Sequence, residues 1–186
     1  MLVFTDGGCI KNGKKNAKAS YAVYMNNTII RGHVMPYEYV YDGKLICNTT
    51  EVTPSNNRGE LLALIHAFIE ILKECKNSID KSNDYVVYSD SQICVKTINE
   101  WYPNRLKKGA IHEFKNLDLI KILMDLFNHI KSICNIKVEH TRSHQKIHTD
   151  TTLEQKKIIG GNNIVDKYAS ELLTQNTLLE YEKFNI

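Results

Sequence analysis

The apolar pattern of this chain changes period near residue 55, and that change limits the folds open to it. Before it, LVFT at the start, SYAVYM from Ser20 and TIIRGHV from Thr28 are rich in β-branched and aromatic residues and bounded by turn formers. Three strands are expected there, with Asn26-Asn27 as a hairpin turn. After it, Leu61, Leu64, Ile65, Phe68, Ile69 and Leu72 recur at helical spacing through residues 56–76, with Ser55 or Asn56 as N-cap. YVVYS from Tyr85 suits a buried strand, and residues 91–101 and 112–133 suit helices. IKVEHT from Ile136 is expected to be a strand, and residues 163–173 a last helix. Within residues 35–54, Asp42-Gly43 between aromatic and apolar neighbours allows either an extra hairpin or a long loop. The order β-β-β-α-β-α-α-β-α predicts an α/β chain, a mixed sheet with helices packed against it.

Composition narrows the rest. With 186 residues, 42% of them hydrophobic, and neither repeat nor linker, the chain reads as a single domain, 1–186. The core is expected over about 1–175, with 176–186 as a C-terminal tail. A net charge of +3 permits nucleic-acid binding only through a local basic patch. No apolar run approaches the roughly 20 residues of a membrane helix. Met1 leads straight into LVFT without a basic segment and apolar run, so an intracellular location, cytoplasm or nucleus, is expected over secretion. Five scattered cysteines (Cys9, Cys47, Cys75, Cys94, Cys134) form no Cys-x-x-Cys pair, which argues against a disulfide framework or a cysteine zinc site.

Four acids stand at the edges of the expected elements. Asp6 ends the first strand before Gly7-Gly8, Glu60 sits in the first turn of the long helix, Asp90 follows YVVYS, and Asp166 opens the last helix. Singly, each has an ordinary explanation: a turn residue, two acids in a first helical turn, and a helix cap. Together they could converge if the two strands were neighbours and both helices began at that point. Such convergence suits a hard cation such as Mg²⁺, which takes a few carboxylates plus phosphate and water. Two ions roughly 3.5–4 Å apart could clamp the attacking and leaving oxygens of a phosphodiester.

The strings FTDGGC, SNNRGEL, YSDSQICV and TRSH…GNNIVDKYA resemble, in order, the four signature blocks of type 1 ribonuclease H, over about residues 4–173. The resemblance implies a ribonuclease H-like fold, a five-stranded mixed sheet with helices on both faces. It implies an endonuclease that hydrolyses the RNA strand of RNA–DNA hybrids with two Mg²⁺ ions, Mn²⁺ being a possible substitute, leaving 5′-phosphate and 3′-hydroxyl ends. By the same match the catalytic, metal-holding carboxylates are Asp6, Glu60, Asp90 and Asp166. One ion would lie between Asp6 and Asp166, the other nearer Asp6, Glu60 and Asp90. His144 corresponds to a loop histidine that assists proton transfer or product departure. Asn56, Asn57 and Gln92 correspond to minor-groove contacts, Cys9 and Asn12 to backbone contacts, and Asn162 to a position beside the active site. Contacts with the 2′-hydroxyl, from Glu60 and the backbone near Cys9, would distinguish RNA from DNA. No membrane and no obligatory protein partner is implied, and a monomer is expected.

Trp101-Tyr102 followed by Arg105, Lys107 and Lys108 is a nucleic-acid footprint in its own right, since cations pair with phosphates and a ring can stack on sugar or base. It also resembles the family's substrate-binding handle. The alternative is a solvated loop with Trp101 tucked into the core. His140, His144 and His148, four residues apart, would form a zinc face on a helix, but His140 falls in a strand pattern. The chain departs from the family at KNGKKNAKAS, which keeps only Gly13 of a glycine-rich turn, and at Ser143, which replaces a glycine. The segment 145–161 is long, with Gly160-Gly161 as an expected hinge, and a second hybrid-binding module is not expected. A DNA-joining or exonuclease enzyme of the wider fold should lack SNNRGEL and Asp-Ser-Gln, and a binding module without catalysis should lack a carboxylate.

Overall fold

The computed structural model describes residues 1–35, 37–41, 44–49, 53–77, 84–175 and 182–185. Its main sheet has five strands: β1 (Leu2–Ile10), β2 (Lys18–Met25), β3 (Thr28–His33), β6 (Asp84–Ser89) and β7 (Asn135–His140). They lie in the order β3-β2-β1-β6-β7. The first three form an antiparallel meander, while β6 and β7 join β1 in parallel, so the sheet is mixed. Asn26 and Asn27 turn between β2 and β3 with φ of 50° and 60°, the left-handed pair that a tight type I′ hairpin needs.

The stretch around residue 40 forms a hairpin, β4 (Tyr37–Tyr41) and β5 (Lys44–Thr49), whose turn residues Asp42 and Gly43 lie outside the described residues. Inside the expected tail, β8 (Glu182–Asn185) pairs in parallel with β4 and completes a second sheet, ordered β5-β4-β8.

Helices cover both faces of the main sheet. On one lie α1 (Asn56–Asn77) and α4 (Leu117–Ile133), and on the other α5 (Leu153–Thr174). Leu64, Phe68 and Leu72 of α1 are fully buried because the helix is sandwiched between the sheet and α4. Truncating any of them to Ala would cost about 2–5 kcal/mol. Phe4, Ala22 and Tyr88 form the smaller layer against Val165 and Ala169 of α5. Ser55 accepts the Arg58 N–H at 3.3 Å and so caps α1. Among the described residues no helix is long and apolar enough to cross a membrane. Cys9, Cys75, Cys94 and Cys134 are free thiols, and the Cys47 side chain lies outside the described residues.

Several boundaries differ from expectation. Gly7-Gly8 is no turn: β1 runs on to Ile10 because β2 pairs with it throughout, from Val3↔Met25 to Ile10↔Lys18. The last helix begins at Leu153, ten residues early, because Thr152 and Gln155 form a reciprocal capping box. Gly160 and Gly161 are therefore helical and no hinge. Asp166 lies mid-helix, and Glu60 lies one position past the first turn of α1. The helix after Asp90 runs longer than expected, as α2 (Gln92–Lys96), a π turn (Thr97–Trp101) and α3 (Tyr102–Lys107). His112 belongs to a 3₁₀ turn (Ile111–Glu113), and α4 starts only after Asn116, whose φ of 59° interrupts the helical path.

Candidate active site

Strand pairing brings the first two acids together. The parallel register between β1 and β6 ends at Thr5↔Ser89, so Asp6 and Asp90 are the next residue on each strand. Asp6 stays paired with β2 through Ala22, which buries it to 6% exposure, while the chain turns away at Asp90. Ser91, not Asp90, caps α2 by accepting the Cys94 N–H at 3.4 Å, which leaves the Asp90 carboxylate free to face Asp6.

Glu60 reaches the same spot through contact between glycines. A Cβ on Gly7 would lie 2.2 Å from the Glu60 nitrogen, and one on Gly59 would lie 2.4 Å from the Ser20 carbonyl oxygen. Only bare backbone on both elements lets α1 start against the sheet. Glu60 is 4% exposed, and its Oε2 is buried without a hydrogen-bond partner. Ligand atoms of Asp6, Glu60 and Asp90 all lie within 4.8 Å of one another.

Three acids so close cannot all ionise at ordinary cost. Burial, then the charges of Asp90 and Asp166, pushes the Asp6 carboxyl up to about 8. Burial and the neighbouring Asp6 and Asp90 also raise Glu60, although the Gly7 N–H and the Asn56 side chain donate to it and partly offset the rise. Asp90 is raised by burial and by Asp166, and lowered by a hydrogen bond with Asp6. Asp166 stands at the rim, its side chain 40% exposed, outside the tight triplet but close enough for its charge to act on Asp6 and Asp90. His144 is 77% exposed, with Nδ1 3.7 Å from Asp166 Oδ2.

The other expected residues fall into three groups and one exception. Asn12 Oδ1 accepts the Asn56 N–H at 3.3 Å and the Cys9 thiol at 3.6 Å, so Cys9, Asn12 and Asn56 form a chain of contacts ending at Glu60. Asn57, Trp101 and Arg105 line one groove, walled by Phe114 and Asn116. Trp101 is 37% exposed and so is not tucked into the core. The Arg105 guanidinium lies 4.2 Å over the Phe114 ring, which itself stacks on Tyr102. Gln92, Lys107 and Lys108 are exposed. Asn162 is the exception: it is 2% exposed, its Oδ1 unpartnered, because it is on the part of α5 packed onto the sheet.

Sequence reasoning passed over Arg58. This buried guanidinium forks onto Asp118 at 2.6 and 3.2 Å and donates to Asn116 at 3.3 Å, tying the start of α1 to the start of α4. The only local signal was its place inside SNNRGEL, since its partners lie some 60 residues away. The zinc arrangement does not form: His140 ends β7, and His144 and His148 lie in irregular chain.

A mixed sheet with carboxylates gathered where two parallel strands part is the arrangement of the ribonuclease H-like fold. The chain belongs to the RNase H family, whose model matches residues 1–174. It is 24% identical over 176 residues to a ribonuclease H of Caldicellulosiruptor saccharolyticus, covering 94% of this chain and 97% of that one. To the Schizosaccharomyces pombe ribonuclease H it is 30% identical over 147 residues, which is 77% of this chain but 46% of that protein, so it spans under half of that relative. Among solved structures it resembles the PFV RNase H domain, at a TM-score of 0.57 and 19% identity, covering 91% of this chain and 92% of that one.

Proposed function

We propose that this chain is a type 1 ribonuclease H, hydrolysing the RNA strand of RNA–DNA hybrids and leaving 5′-phosphate and 3′-hydroxyl ends. The observation that carries the reading is the convergence of Asp6, Glu60 and Asp90 within 4.8 Å, with Glu60 Oε2 buried and unpartnered. An all-carboxylate donor set suits a hard divalent cation, Mg²⁺ with Mn²⁺ as substitute, and disfavours zinc or copper. Asp6, Glu60, Asp90 and the rim residue Asp166 would hold two such ions. When bound, they supply an activated water and neutralise charge on the leaving oxygen.

The chain's own groups do the rest. Asp6, Glu60 and Asp90 orient the scissile phosphate by fixing where positive charge can sit. His144, exposed beside Asp166, gives or takes a proton at the reacting oxygens or helps the product leave. Glu60 and the backbone near Cys9 read the 2′-hydroxyl. Asn56, Asn57 and Gln92 touch the minor groove, Cys9 and Asn12 the strand backbone, and Trp101 with Arg105, Lys107 and Lys108 grips the partner strand. Residues 1–186 act as one catalytic domain, a monomer with no obligatory protein partner, in an intracellular compartment.

The deciding experiment is cleavage of an RNA–DNA hybrid, duplex RNA and duplex DNA, each with and without Mg²⁺. Cleavage of the hybrid's RNA strand alone, only with metal, and with 5′-phosphate products is expected. Equal cleavage of duplex DNA, or activity that survives chelation, would overturn the reading.

A further inference from the structure

The β1–β2 connection is an unusually cationic stretch for its position. With Lys18, the first residue of β2, residues 11–18, KNGKKNAK, hold four lysines and no acid, outnumbering the chain's whole net charge of +3. Lys11, Lys14, Lys15 and Lys18 are all exposed, and among the described residues none is paired with a carboxylate. Four like charges over eight residues set up a local positive field that attracts anions.

The connection is also shaped and anchored. Lys14 N–H donates to the Lys11 carbonyl and Ala17 N–H to the Lys14 carbonyl, each at 3.0 Å, which makes two successive turns. Lys11 and Gly13 take left-handed φ of 53° and 78°. Asn12 ties the first turn to the Asn56 N–H, at the same end of α1 that carries Glu60. The lysines therefore keep a set place relative to the acids. Lys11 lies five residues beyond Asp6, one past the end of β1, about 16 Å away at the rise of a strand.

We infer that Lys11, Lys14, Lys15 and Lys18 form a second phosphate-binding arm, separate from Arg105, Lys107 and Lys108, that grips the nucleic-acid backbone to one side of the acid centre. The identity of that nucleic acid rests on the proposed function, but the arm itself rests on the placement of these lysines.

The test is hybrid binding by the full chain, with Ca²⁺ replacing Mg²⁺, followed by fluorescence anisotropy from 50 to 200 mM salt. The triple variant K11Q/K14Q/K15Q keeps the side-chain stems and removes the charge. It should reduce the slope of log affinity against log salt by about 2–3 units, at about 0.7–0.9 for each phosphate no longer neutralised, with the melting temperature no lower than that of the wild type. K11R/K14R/K15R should keep the wild-type slope, which separates charge from any local effect on the turns. Coincident slopes for wild type and the Gln variant would overturn the arm while leaving hybrid cleavage standing. A reduced slope in a protein that binds hybrids but does not cleave them would uphold the arm and sink the proposed function. Failure of the wild type to bind hybrid at all would sink both.

Discussion

A Cβ atom on Gly7 would sit 2.2 Å from the backbone nitrogen of Glu60, so β1 and α1 meet backbone to backbone beside the acid centre. The obstacle is main chain, which cannot rotate away as a side chain can. Gly59 repeats the constraint from the helix side, 2.4 Å from the Ser20 carbonyl oxygen. The nearness of Glu60 to Asp6 thus depends on two glycines that carry no chemistry of their own.

Gly7→Ala should therefore destabilise the protein by about 3 kcal/mol, the upper range for overpacking, and move Glu60 away from Asp6. Gly160→Ala is the contrast, since it is helical with nothing within 4 Å of its missing Cβ. It should stabilise by about 0.5–1 kcal/mol. Urea denaturation of both variants checks the pair, and a stable Gly7→Ala protein with full activity would refute the close-approach argument.

Asp6→Asn should abolish hybrid cleavage while leaving the fold intact. The amide keeps the shape but removes the charge at the centre of the acid triplet. Turnover near wild type at saturating Mg²⁺ would remove Asp6 from the catalytic set.

The raised carboxyls set a pH dependence whose sign is opposite to that of a salt-bridged acid. The Asp6 pKa is lifted by burial and then by Asp90 and Asp166, from 3.8 to about 8. The folded state thus holds a proton that the unfolded chain has released, and the stability this confers is present at acid pH. It is lost as pH rises from about 4 through about 8. Glu60 and Asp90 shift in the same direction. Metal-free protein should therefore melt at a lower temperature at pH 8 than at pH 5, with Asp6→Asn flattening the difference. Added Mg²⁺ should raise the melting temperature more at pH 8, because ligation needs the ionised carboxylates. Calorimetry at the two pH values with and without Mg²⁺ measures this, and an Mg²⁺ shift larger at pH 5 would contradict it.

Replacing Arg105, Lys107 and Lys108 together by Ala should weaken hybrid binding and flatten its salt dependence, by about one unit of slope for each phosphate left without its cation. Arg105 also packs over Phe114, so part of its effect is packing, and Arg105→Lys in the same assay isolates that part. An unchanged salt slope would show the three cations to be merely solvated.

His144→Ala should lower turnover by about 10²-fold with little effect on affinity or melting temperature. The side chain is 77% exposed and meets Asp166 at 3.7 Å, so its removal leaves the core packing undisturbed. His140→Ala and His148→Ala should leave turnover unchanged. Equal losses in all three variants, or none in His144→Ala, would exclude the assignment.

The kinds of element, most of their order and the candidacy of Asp6, Glu60 and Asp90, which the fold brings together, were legible in the sequence, because hydrophobic period, turn chemistry and local motifs are short-range signals. The Asn26-Asn27 hairpin, the buried face of α1 and the strand at Tyr85 needed no knowledge of distant chain. Tertiary structure decided what depends on partners far along the chain. β2 pairing carried β1 through Gly7-Gly8, where local propensity favours a turn. The Phe4 ring, 2.3 Å from where a Gly161 Cβ would lie, makes that glycine a packing site and not a hinge. Arg58 found Asp118 across 60 residues, and β8 found β4 across more than 140. The same long-range packing buried Asn162, left Asp166 at the rim and gave Asp6 its raised pKa. Each of these is set by burial and by charges from other elements, quantities that exist only once the chain has folded.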